Sequence, residues 1–214
     1  AEQRRAQLVG ELLVERGGRH RQPEQRVEQR AQPEQEVAAV ALVGADVLTD
    51  PQQVAPQVGF LPDVPSFYPW MRADEYLRFC ASLFGLSGTA TTRRVDLLLE
   101  LAGLQGVATP IGGFSRGMKQ RLGVAQAMIN SPRLLILDEP TSALDVSIRH
   151  QILDLLDDLR RERGLAVLMI THDLNLVRRF ADRVAVMERG VLVEQGPTAT
   201  VMQTPQHAYT RKLI

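Results

Sequence analysis

Four consecutive apolar residues, Leu134-Leu135-Ile136-Leu137, run directly into two acids, Asp138-Glu139. A run of strand length with no polar position has no face to offer to water, so it belongs inside a covered sheet. Its carboxyl end then delivers both carboxylates to the sheet edge where α/β proteins bind their ligands. A second apolar run, residues 166–170, ends in Thr171-His172-Asp173 and brings a histidine to a strand end in the same way. Between the two, residues 146–163 read as an amphipathic helix, with Ile148, Ile152, Leu155, Leu156 and Leu159 on one face. Upstream, residues 57–61 read as a buried strand closed by Pro62, and residues 37–47 as a strand ending at Gly44. Tyr76, Leu77, Cys80 and Phe84 fall at helical spacing, as do Val95, Leu98, Leu99 and Ala102. A helix from Asp173 and short strands at 184–187 and 191–193 complete the pattern. Strands alternating with helices predict an α/β fold with a mostly parallel sheet.

The 214 residues carry Lys+Arg 25 against Asp+Glu 25, a formal charge of zero. That balance removes the electrostatic argument for nucleic acid as a partner. A hydrophobic share of 44% supplies material for a core. Cys80, the single cysteine, excludes a disulfide framework and a multi-cysteine zinc site, and its apolar helix face makes it a small core residue. The longest apolar run, residues 37–45, is too short to span a bilayer, and Glu11 and Glu15 interrupt the one apolar stretch near the start. The expectation is a soluble, cytoplasmic domain with an appendage.

The appendage is residues 1–36, with seven Arg, seven Glu, seven Gln and no aromatic residue. The tetrapeptide QPEQ occurs at 22–25 and again at 32–35, a low-complexity echo. One short amphipathic helix around Leu8–Val14 fits the few apolar residues, and disorder is expected for the rest.

Three short stretches carry chemistry. Asp138-Glu139 suits a Mg²⁺-nucleotide, one carboxylate serving the metal and the other a water, although a strand end with solvated acids has the same look. Ser115-Arg116-Gly117-Met118 opens a helix and presents backbone amides to an anion, or is simply a capped N-terminus. His172 is placed to donate to a phosphate or a water, or is structural. His20, His150 and His207 lack ligand spacing and read as surface residues. Phe67-Tyr68-Pro69-Trp70 reads equally as a docking surface or as packing for nearby helices.

In order and spacing these stretches resemble the ATPase subunits of ABC transporters, over residues 40–214. The resemblance implies a P-loop NTPase-like core with a mostly parallel sheet, occupying residues 37–214, and a helical subdomain at about 65–130. Asp138 looks like the Walker B aspartate and Glu139 like the general base or water-positioning residue. Ser142-Ala143-Leu144-Asp145 is similar to the D-loop, and His172 to the switch histidine. Phe114 to Met118 resembles the signature LSGGQ, with Phe114, Arg116 and Met118 replacing leucine, glycine and glutamine, and Gly117 retained. Asp63 takes the Q-loop position, an acid in place of glutamine, where it can still meet Mg²⁺. The implied cofactors are ATP and Mg²⁺. The implied partners are transmembrane transporter subunits and a second ATPase subunit, homo- or heterodimeric, on the inner face of the cell membrane, with no nucleic acid. The middle of the chain looks exporter-type. Its end, with Pro205, His207, Tyr209 and Thr210, looks like oligopeptide- and nickel-importer ATPases.

The family's phosphate loop, G-x-x-x-x-G-K-S/T, is missing or replaced: the lysines are Lys119 and Lys212, and Gly17-Gly18 is followed by neither Lys nor Ser/Thr. In this family two subunits pair head to tail, each nucleotide lying between the Walker motifs of one and the signature of the other. The site built on Asp138, Glu139 and His172 is then expected to be defective, whereas Ser115, Gly117 and the D-loop can still serve an intact partner. A non-catalytic scaffold is the alternative, and a DNA-repair relative is disfavoured by the lack of a coiled-coil insertion or a basic face. A frame shift or truncation, a degenerate subunit and a regulatory tail all fit residues 1–36, the first being favoured. Translating the DNA upstream of Val40 in all three frames is expected to reveal the phosphate-loop motif; its absence from every frame overturns the frame-shift origin.

Overall fold

The computed structural model describes residues 12–16, 41–42, 45–46, 50–141, 144 and 146–214. In chain order the elements are strands β1 (Leu12–Arg16), β2 (Ala41–Leu42) and β3 (Ala45–Asp46), then a short helix α1 (Pro51–Val54) and strand β4 (Val58–Leu61). Helices α2 (Ala73–Leu83), α3 (Gly88–Leu101) and α4 (Arg116–Ala127) come next, followed by β5 (Leu134–Asp138), α5 (Val146–Arg163) and β6 (Ala166–Thr171). The chain closes with α6 (Leu174–Phe180), β7 (Arg183–Glu188), β8 (Val191–Pro197), α7 (Thr198–Gln203) and α8 (Ala208–Leu213). No helix among the described residues is long and apolar enough to cross a membrane.

Six strands form one sheet in the order β4-β5-β6-β1-β7-β8. β4, β5 and β6 are parallel, with Leu61 beside Leu137 and Asp138 beside Ile170. This register brings the residues just past Leu61, Leu137 and Ile170 to one sheet edge, the carboxyl edge. β5 is the strand expected from the unbroken apolar run, and Leu135 and Leu137 are fully buried. Across α5, Ile152, Leu156 and Leu159 are buried at the i, i+4, i+7 spacing of one helix face. They join the residues of β5 and of α2, α3 and α4 in a single apolar cluster.

The helices reach the sheet through two small residues. A Cβ placed on Gly59 in β4 would sit 2.1 Å from the carbonyl oxygen of Ala127 at the end of α4. One placed on Gly123 would come within 2.6 Å of Leu61 Cδ1. Helix α4 therefore lies directly on β4 because neither position carries a side chain.

Several expectations are corrected here. The parallel arrangement holds for β4, β5 and β6, but β1 runs antiparallel to both β6 and β7, and β8 antiparallel to β7. Residues 12–16, expected to be helical or disordered, form that β1 strand inside the sheet. Residues 12–16 pair with β6 on one side and β7 on the other, and the ladder on both sides satisfies the backbone. The rest of 1–36 lies outside the described residues. Of the single strand expected at 37–47, the described residues form two short antiparallel strands, β2 and β3, with Ala41 opposite Asp46 and Leu42 opposite Ala45; the rest lies outside the described residues. In β4, expected to be buried throughout, Phe60 is exposed, because strand alternation puts it on the face opposite the buried Gly59 and Leu61. Phe84 ends α2 as its C-cap and is likewise exposed, whereas Tyr76, Leu77 and Cys80 are buried as expected.

Gly59→Ala is expected to destabilise the chain by about 1–3 kcal/mol, because the added methyl meets backbone that cannot move aside. Gly123→Ala is expected to cost less, since the end of a leucine side chain can turn away. Denaturant midpoints of the two variants against the parent check both the size and the order.

Candidate functional site

The carboxyl edge of β5 carries the two acids. Asp138 is the last residue of the strand, and Glu139 leaves it with φ at 44°, in the left-handed region that residues other than glycine rarely adopt. The Glu139 amide stays tied to the Ile170 carbonyl at 2.9 Å, so the chain turns without letting go of β6. That turn carries the Glu139 carboxylate to the end of β6. There its Oε1 lies 2.6 Å from Nδ1 of His172 and accepts the His172 amide at 3.1 Å. A carboxylate can only accept, so the neutral imidazole faces it with Nδ1–H. The imidazole side is exposed, 66% of the His172 side chain against 18% for Glu139.

Asp138 is drawn into a second relation. Burial first, and then the charge of nearby Asp63, hold its carboxyl above the usual carboxylate range. Asp63 follows β4 by two residues, and the β4–β5 register brings it to the same edge. Two carboxylates this close repel until a cation sits between them, and all-oxygen donors are what Mg²⁺ takes. The donor set thus fits a hard divalent cation completed by water and phosphate oxygens, although no group of three or more ligating side chains occurs among the described residues.

Ser115 to Met118 stand at the start of α4. The Ser115 hydroxyl accepts the Met118 amide at 3.2 Å, so it acts as the N-cap. Arg116 is exposed, Gly117 is buried and Met118 packs partly against the core. What fastens this helix to the acids is Gln120, 4% exposed, whose Nε2 donates to the Pro140 carbonyl at 2.9 Å. Of the D-loop stretch, Leu144 is partly buried against the core, while Ser142, Ala143 and Asp145 lie outside the described residues.

The structure therefore brings Asp63, Asp138, Glu139 and His172 together at one edge and sets Ser115 to Met118 at a separate helix start. No motif marks Gln120, which looks like any helical glutamine; its signal is its place, five residues after the Ser115 cap. Arg149 was also overlooked, although it pairs with Asp173 beside His172. His207, expected to be a bare surface residue, accepts the Tyr209 amide on Nδ1 and caps α8. The aromatic stretch divides. Phe67 meets Tyr76 edge-on at 5.2 Å and packs inward, whereas Tyr68 and Trp70 are exposed and lie 5.3 Å apart.

The direction of β1 also bears on the edge. Leu12 lies opposite Thr171 and Arg16 opposite Val167, so the chain leaves β1 at the far edge of the sheet from Asp138.

Comparison with known proteins gives a consistent result. The profile of the ABC transporter family matches residues 24–142. An uncharacterized ABC transporter ATP-binding protein of Bacillus subtilis, YxlF, is 42% identical over 150 residues, covering 70% of this chain and 50% of its own. The methionine import ATP-binding protein MetN 2 of Bacillus thuringiensis is 41% identical over 147 residues, covering 68% of this chain and 43% of its own. The peptidoglycan transport ATP-binding protein YejF of Agrobacterium fabrum is 47% identical over 129 residues, covering 58% of this chain and 23% of its own. This chain thus spans half or less of the length of these curated relatives. Among solved structures, an ATP-binding subunit of an ABC transporter superposes with a TM-score of 0.66 at 26% identity, covering 77% of this chain and 69% of that one. The cbiO1 protein of Clostridium perfringens, part of the cbiONQ transporter complex, gives 0.64 at 27%, covering 72% and 62%.

The state of Asp138 makes a test. A carboxyl held above its ordinary range in the folded chain binds its proton more tightly there than in the unfolded chain. Stability is therefore lost as pH rises from the ordinary carboxylate range through the raised value. Asp138→Asn is expected to melt above the parent at neutral pH without divalent cations. The gap should shrink as pH falls into the carboxylate range, and Mg²⁺ should narrow it by stabilising the parent alone. Thermal melts at several pH values, with and without Mg²⁺, check this.

Proposed function

This chain belongs to the ABC transporter family of ATP-binding proteins, and from that premise we propose that it serves a transporter that couples ATP hydrolysis to passage of a substrate across a membrane. The observation that carries the proposal is the placing of Asp138, Glu139 and His172 at one carboxyl edge, with the Glu139 carboxylate against the histidine. In the hydrolytic arrangement Asp138 would hold Mg²⁺, with Asp63 as the second carboxylate. The metal supplies charge neutralisation on the phosphates. Glu139 orients the attacking water and takes its proton as the oxygen bonds to the γ-phosphorus and the bond to the bridging oxygen of the leaving ADP breaks. His172 donates to a γ-phosphate oxygen by turning its Nδ1–H from Glu139 to the nucleotide, since the neutral ring has one N–H to give. At a partner's nucleotide, the first-turn amides of α4 around Gly117 face the phosphates, with the cap at Ser115 fixing the turn.

We further propose that these residues do not complete an ATP site of their own. β1 leaves the sheet at the edge away from the acids, and no G-x-x-x-x-G-K-S/T lies between β1 and β4. The working contribution is then the α4 face and the D-loop, Ser142 to Asp145, offered to an intact second ATPase subunit. The alternative, a scaffold that catalyses nothing, shares this geometry. Partner transmembrane subunits meet the exposed aromatic patch of Tyr68, Trp70 and Phe79. The printed names of the relatives speak of methionine import and peptidoglycan transport, two unlike cargoes. This supports placing cargo choice in the membrane-spanning partners, with this chain peripheral on the cytoplasmic face.

The chain alone is expected to show no ATP hydrolysis above background. Combined with its intact ATPase and membrane partners, activity is expected, and Gly117→Val should lower kcat on the order of 10²-fold by displacing the amides from the partner's nucleotide. Loss of activity on Glu139→Gln in that assembly would instead show a complete site here and overturn the defective-site proposal. Indifference to Gly117→Val would favour the scaffold.

A further inference from the structure

His172 is poorly held by its own side chain. Its imidazole is 66% exposed, and the contact with Glu139 is the one that orients it. The backbone that carries the ring is held on either side, because both neighbours are tied down. Thr171, 2% exposed, accepts the Asp173 amide on Oγ1 at 3.1 Å. Asp173 divides its carboxylate: Oδ1 accepts the amides of Asn175 and Leu176 at 3.0 and 3.2 Å and so caps α6. Among the described residues, Oδ2 accepts from Nη1 of Arg149 at 2.9 Å, reaching across from the start of α5.

This ion pair is half-sheltered, with side-chain exposures of 33% and 25%, so water screens it less than an ordinary surface pair. Arg149 also holds its Nε buried, with no hydrogen-bond partner among the described residues. A buried donor left unsatisfied costs stability, so the guanidinium is placed for what it grips and not for its own solvation. The two oxygens of Asp173 do separate work: capping of α6 survives on Oδ1 alone, whereas the orientation of the carboxylate, and with it the backbone at 172–173, depends on Oδ2.

We propose that Arg149 is a positioning residue that acts through Asp173 to aim His172 at Glu139, and that it links the start of α5, just past the D-loop, to the histidine end of β6. This deepens the reading of the carboxyl edge as the ATP edge and rests on it, but its test needs no turnover. The full chain, labelled with ¹⁵N, is examined by two-bond ¹H–¹⁵N correlation of its four histidine rings at a pH of about 8, where imidazoles are mostly neutral. In the parent, His172 is expected to show the single-tautomer pattern with the proton on Nδ1. Arg149→Gln should lose that pattern in favour of the averaged one, while the amides of Asn175 and Leu176 keep their shifts and report an intact α6. Arg149→Lys should restore it in part. Asp173→Asn keeps an oxygen for the cap and is expected to reproduce the loss; it serves as the reading should Arg149→Gln fail to fold. The double variant should be no worse than either single one. An unchanged His172 pattern in a folded Arg149→Gln or Asp173→Asn chain overturns the proposal, as do additive effects in the double variant. Those outcomes are separate from the Glu139 and Gly117 kinetics, which test the function itself.

Discussion

A strand with no polar face dictates most of this molecule. Because Leu135 and Leu137 are fully buried, β5 has to lie between other strands and under helices, and the apolar stripe of α5 joins it in the one core. Once β5 is central and β4 and β6 run parallel to it, the position of every candidate side chain follows from register. Residues just beyond the three strand ends share an edge, and the acids and the histidine cannot help meeting there. The close approach of α4 through Gly59 and Gly123 then sets the start of that helix relative to β4 and β5. Gln120 turns the packing into a direct tie by bonding the carbonyl that follows the second acid.

Much of this was legible in the residues. Periodicity located α2, α3, α5 and the strands at 134–138 and 166–171, because their apolar spacing is strong and the helices are long enough to express it. The edge constellation was legible because it follows from strand ends, and strand ends follow from apolar runs. β1 was not legible: five residues of Leu-Leu-Val-Glu-Arg in a low-complexity setting carry no periodicity that separates a helix from a strand, and only the slot between β6 and β7 decides. Its antiparallel direction is a property of the sheet as a whole. The split of the aromatic stretch was hidden for a like reason. Phe67 and Trp70 are similar in hydrophobicity, and the difference between an inward and an outward ring is set by where Tyr76 stands on α2.

The polar ties were the least visible. Gln120, Arg149 and Asp173 come from distant parts of the chain and look, in sequence, like surface residues of helices. They matter because each reaches a group adjacent to the edge: Pro140 beside Glu139, and Asp173 beside His172. Short bonds between neighbours of reactive groups leave no spacing rule behind, since what unites them is the fold. The fully apolar framework and these few hydrogen bonds divide the labour, the first bringing strand ends to within reach and the second choosing which way the side chains point.

The left-handed backbone of Glu139 has a consequence for how variants of this chain behave as a population. An L side chain occupies that conformation at a penalty of roughly 1–2 kcal/mol, which glycine escapes and asparagine partly escapes. A screen that rewards folding alone, such as resistance to protease or yield of soluble chain, will therefore drift toward glycine or asparagine at this position and discard the carboxylate. A screen that rewards turnover in the assembled transporter exerts the opposite pull if the edge still works, and none if it does not. The residue that survives at 139 under relaxed selection is thus a record of which demand the chain still answers.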